Sequence, residues 1–256
     1  MNKIQRYRRE SELSYTLGAT LTYELVRCRR ELVTRVYISS ETDTGGGIGE
    51  LLRECEVLGI PVEKNDKAFN ILSPKGNCYV IGEFRKESSR LSPGNHIVLV
   101  NPSDAGNLGT ILRTAAAFSV PEIGIIRPGV VVYDPRTVRA SMGAVFHTHV
   151  EYFESFEEYR ARFPENVRYA FMLKGSVGLP EAVRDPVPEG QKAPAPAGDE
   201  PPYTLIFGNE ATGLPDDFAE FCTAVRINIS SDVDSLNLPM AVGIGLYEFT
   251  KKNWNT

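Results

Sequence analysis

Three segments in the C-terminal two-thirds of the chain combine the residue types that bind ligands and move protons. They read Asn101-Pro-Ser-Asp-Ala-Gly-Asn-Leu-Gly-Thr-Ile-Leu-Arg113, Ile206-Phe-Gly-Asn-Glu-Ala-Thr-Gly-Leu214 and Ile227-Asn-Ile-Ser-Ser-Asp-Val-Asp-Ser-Leu-Asn237. Each joins a hydrophobic strand to a loop of Gly, Asn, Ser and a charged residue. Such loops expose backbone N–H and C=O groups to a ligand while a rigid sheet holds them. In the first segment, a helix beginning near Asn107 puts Leu108, Ile111, Leu112 and Ala115 on one face. At about 100° per residue Arg113 then lies roughly 140° from Leu108 and projects away from the core. Gly106 and Gly109 would let a ligand approach the backbone closely. A solvated helix arginine is the plainer account of Arg113. In the second segment Gly208 suits a backbone approached by a cofactor, and Glu210 follows a buried strand. Turn geometry alone is the other account of Gly208 and Gly213.

The remaining candidates are weaker. His147 and His149 sit two apart, on one face of an expected strand, with no third or fourth ligand evident, so no metal site is expected. Cys28, Cys55, Cys78 and Cys222 are scattered and contain no C-x-x-C pair, which reads as reduced cytosolic thiols. Gly45-Gly-Gly-Ile-Gly49 fails G-x-G-x-x-G because Glu50 takes the last position, and reads as a flexible turn. Arg136-Thr-Val-Arg139-Ala-Ser-Met-Gly143 precedes an expected strand, and Arg139 within it is a candidate for contact with RNA.

The elements that must position these residues form two α/β units. Residues 14–30 carry apolar side chains at helical spacing, with Leu17, Leu21, Leu25 and Cys28 on one stripe. A strand (33–39), a Gly-rich loop (42–49), a helix (50–58) stopped by Gly59, and strands or short elements at 60–63, 68–72 and 78–84 follow. The polar stretch 85–95 reads as a linker. Beyond it, a strand at 96–100, a helix at 108–118 and a strand at 122–126 indicate a parallel sheet. Strands at 146–150, 169–173, 203–207 and 224–229, with a helix near 156–163, continue it. Residues 183–202 are rich in Pro, Ala and Gly and read as a surface insertion. The closing segment 239–251 is apolar on two faces, Leu238, Val242, Leu246 and Phe249 on one and Met240, Ile244 and Tyr247 on the other, so it needs two partners.

Composition sets the outer limits. The apolar and charged fractions, 42% and 24%, are those of an ordinary globular protein. No run of about 18 apolar residues suggests a membrane span, and the charged N-terminus does not read as a secretory signal. The net charge of –5 is unlike that of a nucleic-acid binder. Its distribution is more telling: residues 1–90 hold 15 basic and 13 acidic side chains, and residues 91–256 hold 13 and 20. Lys3, Arg6, Arg8 and Arg9 form one basic cluster, and Arg27, Arg29, Arg30 and Arg35 another. A local basic face can bind phosphates whatever the total charge.

In order, residue type and context, the three segments resemble the three motifs of the SpoU family of RNA ribose methyltransferases, within the SPOUT superfamily. The resemblance covers roughly residues 96–256. It implies an α/β fold with a SPOUT-type parallel sheet and a C-terminal trefoil knot, a homodimer formed through the C-terminal domain, and S-adenosyl-L-methionine as methyl donor. It implies that Arg113 is the catalytic residue for the ribose 2′-OH, that Asn107 matches the family's asparagine, and that Glu210 holds the loops together. Ser235 and Asn237 match polar residues beside the arginine. Phe207, Gly208, Asn209 and Gly213 would lie along the cofactor, and Ile227, Ile229 and Leu236 would wall the adenine pocket. An arginine side chain, the most basic in proteins, does not readily lose its proton. Arg113 would act either as a base aided by the site and the RNA phosphate, or as an electrostatic orienter of the hydroxyl. The third segment departs from the family pattern: Ile229-Ser-Ser-Asp-Val replaces Ile-Pro-Met-x-Gly, and Leu-Pro-Met follows Asn237 where Val-Ser-Val is common.

Leu58-Gly-Ile-Pro-Val62 with Tyr79-Val-Ile-Gly-Glu83 resembles the L30e-like RNA-binding domain that precedes many SpoU catalytic domains. The implied organisation is an RNA-positioning domain (1–88), a linker (89–95) and a methyltransferase domain (96–256). The expected function is cytoplasmic RNA 2′-O-ribose methylation, with ribosomal RNA the preferred substrate and tRNA the other. A non-catalytic RNA-binding protein that keeps the fold is the alternative reading, and base methylation a third.

Overall fold

The computed structural model describes residue 4 and residues 6–73, 77–184 and 201–254. The N-terminal elements are β1 (Leu13–Leu17), α1 (Ala19–Cys28), β2 (Val33–Ile38), α2 (Gly46–Val57), β3 (Val62–Lys64), α3 (Asp66–Leu72) and β4 (Val80–Arg85). They build a four-stranded sheet of order β1-β4-β2-β3. The expected helix over 14–30 is corrected: Leu17 ends a strand, and the helix begins only after Gly18, whose φ of 127° breaks the chain direction. Leu13 to Leu17 alternate apolar and polar residues as a strand does, but the run is five residues long and leads directly into the helical stripe of Leu21, Leu25 and Cys28, which masks it. The Gly-rich stretch is corrected too. Gly46 to Gly49 form the first turn of α2, and Gly49 packs so closely on the Thr44 carbonyl that a side chain would collide with it.

The C-terminal elements begin with β5 (His96–Val100), α4 (Ala105–Ala117), β6 (Glu122–Ile126), α5 (Pro135–Ala140), β7 (His149–Phe153) and α6 (Phe156–Arg162). They continue with β8 (Val167–Phe171), β9 (Val177–Gly178), α7 (Leu179–Arg184), β10 (Tyr203–Phe207), α8 (Phe218–Phe221), β11 (Thr223–Arg226) and α9 (Leu238–Thr250). The seven strands lie in the order β7-β6-β5-β10-β8-β11-β9, and every adjacent pair is parallel. All residues of β5 and β6 are buried, as in a sheet covered on both faces. Ile97 and Leu99 join one core cluster, with α4, α5, α7 and α9; Val98 and Val100 join the other, with α6 and α8. The strand expected at 146–150 instead starts at His149, and Arg136 and Arg139 lie on helix α5. Most of the Pro-rich stretch at 183–202 lies outside the described residues. No helix among the described residues is long and apolar enough to cross a membrane, and the four cysteines are unpaired.

The two sheets share a core. Leu25 and Phe84 of the N-terminal unit belong to the same buried cluster as α4, α5 and α9. The Phe84 ring meets Tyr133 and Phe146 edge-on, at 5.6 and 5.4 Å between centroids. Polar contacts frame this junction: Ser14 Oγ donates to the Tyr133 carbonyl (2.5 Å) and Arg29 Nε to the Phe146 carbonyl (3.1 Å). The polar stretch read as a linker is fixed in place. Ser89 Oγ donates to the Val150 carbonyl and accepts from its N–H, both at 2.9 Å, covering the edge strand β7. The Leu91 N–H donates to Glu151 and that of Ser92 to Glu122. Phe84 carries this junction, so Phe84→Ala should cost about 3–5 kcal/mol in urea unfolding. A loss below about 1 kcal/mol would show that the sheets do not depend on one another.

Candidate active site

Strands β5 and β10 are adjacent and parallel, with Leu99 beside Phe207, so the loops that follow them emerge at the same end of the sheet. Here the strand order turns: β6 and β7 extend to one side of β5, and β10, β8 and β11 to the other. Loops at such a reversal form a crevice that binds ligands in open α/β sheets.

One carboxylate ties the two loops together. Glu210, after β10, accepts from Ser103 Oγ (2.9 Å), the Ser103 N–H (3.2 Å) and the Asp104 N–H (3.3 Å), all after β5. Asn107 Nδ2, on the first turn of α4, donates to the same carboxylate at 3.2 Å. Asp104 caps α4 by accepting the Asn107 N–H at 2.7 Å, so the helix starts earlier than its apolar stripe indicates. Burial alone would raise the Glu210 pKa. The N–H of Glu210 itself, the Asn107 amide and the two donors of Ser103 outweigh it and hold the carboxyl below its ordinary value.

The second loop closes on itself. Asn209 Nδ2 donates to the Asn101 carbonyl (2.8 Å), and Asn209 Oδ1 accepts from the N–H groups of Ala211 (2.9 Å) and Thr212 (3.3 Å). Gly213 turns the chain back at φ 69°, and its N–H reaches the Asn209 carbonyl at 2.9 Å. Gly208 faces this returning backbone, where any side chain would strike Gly213 and Leu214. Gly109 likewise has a packing role, because a Cβ there would meet Ala140 and the Thr137 carbonyl of α5. At Gly106 the nearest group is its own cap, Asp104. Ligand approach is therefore not what Gly109 provides.

The second and third segments enclose a cleft of about 380 Å³. Its wall contains Phe207, Gly208, Asn209, Glu210, Gly213, Ile227, Ile229, Ser235 and Leu236. Apolar side chains and loop main chain together suit a small, flat, partly polar ligand. Asn107 reaches this wall only through Glu210. Arg113 and Asn237 are not on it. Arg113 is exposed on α4 with no hydrogen bond or ion pair among the described residues. Asn237 starts α9 and makes no side-chain cap bond. In place of the family's Pro-Met-x-Gly, Ser230 Oγ donates to Asp232 (2.7 Å) in an exposed local turn.

Sequence reasoning misses two parts of this site. Ser103 gives Glu210 two of its donors. Phe171 to Lys174, at the end of β8, form another stretch of wall, with Phe171 stacked on Phe207 at 4.4 Å. Residues 171–174 belong to no motif. The signal that finds them is the parallel register of β8 beside β10, Phe171 to Phe207. A second groove runs beside the first loop, lined by Tyr7, Arg9, Asn101, Ser103, Arg136 and Arg139 among others. Arg9 donates to the Gly129 carbonyl and Arg136 pairs with Asp134, while Arg139 is exposed. The second basic cluster is partly engaged within the chain, Arg29 with Glu87 and Arg35 with Glu63 and Glu83. Lys3 lies outside the described residues. The two histidines do not share a strand face. His149 Nδ1 meets Glu122 at 2.7 Å, whereas His147 ends a 3-10 turn and faces Glu24 and Cys28.

Because the folded pKa of Glu210 is depressed, its stabilisation is complete above the unfolded carboxyl pKa of about 4.3. It is lost as the pH falls through the lower folded value. Glu210→Gln should therefore reduce unfolding free energy by about 1–2 kcal/mol at neutral pH. In urea titrations at successively lower pH the gap to the unmodified chain should narrow in acid; a gap that stays constant would mean the charge is not what holds the loops.

The model of the SpoU rRNA Methylase family matches residues 94–247. An uncharacterized tRNA/rRNA methyltransferase of Synechocystis sp. is 30% identical over 193 residues, 73% of this chain and 65% of that protein. The matched part is thus just under two-thirds of that relative. A 23S rRNA (adenosine(1067)-2′-O)-methyltransferase of Streptomyces laurentii is 28% identical over 221 residues, 80% of this chain and 75% of the relative. Among solved structures, an AdoMet-bound rRNA methyltransferase of Sinorhizobium meliloti superposes with a TM-score of 0.75 at 25% identity, covering 96% of this chain and 89% of the other. With the family model spanning more than half of its length, the chain belongs to the SpoU rRNA methylase family.

Proposed function

We propose that this protein is an S-adenosyl-L-methionine-dependent RNA 2′-O-ribose methyltransferase, with ribosomal RNA as substrate and tRNA as the other RNA class. The observation that carries this reading is the convergence of the second and third segments on one cleft, joined through Glu210 to the helix that bears Arg113. The cleft volume falls within the usual range for small-ligand sites, about 300–1,000 Å³. When bound, S-adenosyl-L-methionine supplies a methyl group already activated on a sulfonium. Phe207, Ile227, Ile229 and Leu236 would pack on the ligand, and the main chain of Gly208, Asn209 and Gly213 would line its polar edge. Glu210, Asn107, Ser235 and Asn237 would hold the loops and the RNA ribose in register. Arg113, with no hydrogen bond or ion pair among the described residues, would bind the ribose oxygen or an adjacent phosphate and favour loss of the 2′-OH proton. Orientation of the hydroxyl should supply much of the rate.

The RNA strand would follow the groove beside the first loop, where Arg9, Arg136 and Arg139 meet phosphates. In this reading residues 1–88 are an L30e-like RNA-positioning domain, 89–95 the connection and 96–256 the catalytic domain, its closing segment threaded as a trefoil knot. The exposed Met240 and Tyr247 of α9, 60% and 55% accessible, are the face on which a second copy would pack to make the homodimer. The protein would work in the cytoplasm.

The test is transfer from labelled S-adenosyl-L-methionine to unmodified total RNA, beside Arg113→Ala, with digestion to nucleosides. Label should appear in a 2′-O-methylnucleoside and fall by about a hundredfold or more in the variant. Label in a base would overturn the ribose assignment. No transfer by a folded protein that also fails to bind the cofactor would favour a non-catalytic RNA-binding protein, the reading that the altered third segment supports.

A further inference from the structure

The junction between α1 and the 3-10 turn Ala144–His147 brings together three side chains that methyl transfer does not use. Glu24 and Cys28 are four residues apart and share one face of α1. His147 approaches them from the catalytic half of the chain, 119 residues beyond Cys28. Its Nε2 atom lies 3.1 Å from Glu24 Oε2 and 3.4 Å from Cys28 Sγ, and Cys28 Sγ lies 3.8 Å from that same oxygen. Zinc bonds sulfur at about 2.3 Å and nitrogen or oxygen at about 2.0–2.1 Å, which sets tetrahedral ligands ~3.3–3.6 Å apart. The observed triangle brackets that spacing, so small side-chain rotations suffice to admit an ion.

We propose that Glu24, Cys28 and His147 bind one zinc ion, with the fourth position open to water, and that this ion clamps the N-terminal unit to the catalytic sheet. The donor set makes the choice of metal. A thiolate with an imidazole favours zinc over magnesium or calcium, which take oxygen ligands. Binding releases the Cys28 thiol proton to solvent and forms the zinc–sulfur bond, with no change of oxidation state. The surroundings are built for this approach. Gly143, at φ 90°, faces Glu24, where an added Cβ would lie 2.9 Å from the Glu24 Cβ. That missing side chain lets α1 come close to the turn. Arg29 Nε holds the same turn through the Phe146 carbonyl. Glu24 and Cys28 are half-buried and His147 is exposed, which leaves an entry path and room for the water ligand. Without an ion the three groups form a hydrogen-bonded trio, and this is the arrangement the test must distinguish. The proposal does not depend on the methyltransferase reading.

The full-length, untagged, metal-free chain is titrated with cobalt(II), an optical probe for zinc sites, and then with zinc(II). One cobalt per chain should bind with a thiolate-to-metal charge-transfer band and the visible spectrum of tetrahedral coordination, and zinc should displace it. Cys28→Ser should abolish the charge-transfer band. His147→Ala, and the nearly isosteric Glu24→Gln, should weaken zinc binding about tenfold or more. Cys78→Ser, at a distant thiol, should change nothing. Zinc should raise the melting temperature of the unmodified chain and not that of Cys28→Ser. An unmodified chain with no charge-transfer band, a band that survives Cys28→Ser, or zinc affinity unchanged in Glu24→Gln would overturn the proposal.

Discussion

The site depends on the Glu210 carboxylate. Two loops that follow different strands must hold a fixed relation if a methyl donor on one is to meet a hydroxyl placed by the other. Sheet pairing brings the ends of β5 and β10 together, but it does not orient what comes after them. Glu210 does so by collecting two main-chain N–H groups, a hydroxyl and an amide from the first loop and the start of α4. Hydrogen bonds to a charged acceptor are the stronger kind, and half-burial keeps water from replacing them easily. The glycines around it serve the same end, since Gly208 lets the second loop fold back on itself and Gly109 lets α4 settle onto α5.

The N-terminal unit extends this logic. Phe84 and Leu25 sit in the core beside the seven-stranded sheet, and Ser14, Arg29 and Ser89 bond to main chain of the C-terminal unit. A unit anchored in this way has little freedom to swing. Tyr7 and Arg9 of this unit and the first loop therefore line one groove, and an RNA laid there would meet a preset surface that also holds Arg136 and Arg139.

Much of this is legible in the sequence. The motif residues are recognisable because loop chemistry is local: Asn209, Glu210 and Gly213 act on atoms a few residues away or on a loop that follows the adjacent strand. The buried strands β5, β6 and β10 are legible because their apolar runs are short and bounded by polar turns. What is not legible comes from contacts distant in sequence. The alternating run of β1 is only five residues long and adjoins an amphipathic helix, so Leu17 reads as part of the helical stripe until Gly18 is seen to break the chain. Gly109 looks like a ligand-contact glycine until α5 is seen against it. Phe171 to Lys174 join the cleft only through sheet register. His147 appears to pair with His149 until the fold turns it toward α1.

The central claim is that the second and third segments form a cofactor site whose shape depends on the close passage at Gly208. Calorimetric titration with S-adenosyl-L-methionine, on the unmodified chain and on Gly208→Ala, tests it most directly. The account predicts one bound ligand per chain, with affinity reduced about tenfold or more in the variant, because the added methyl displaces the Gly213 backbone that edges the cleft. No binding by the folded, unmodified chain, or equal binding by the variant, would contradict it.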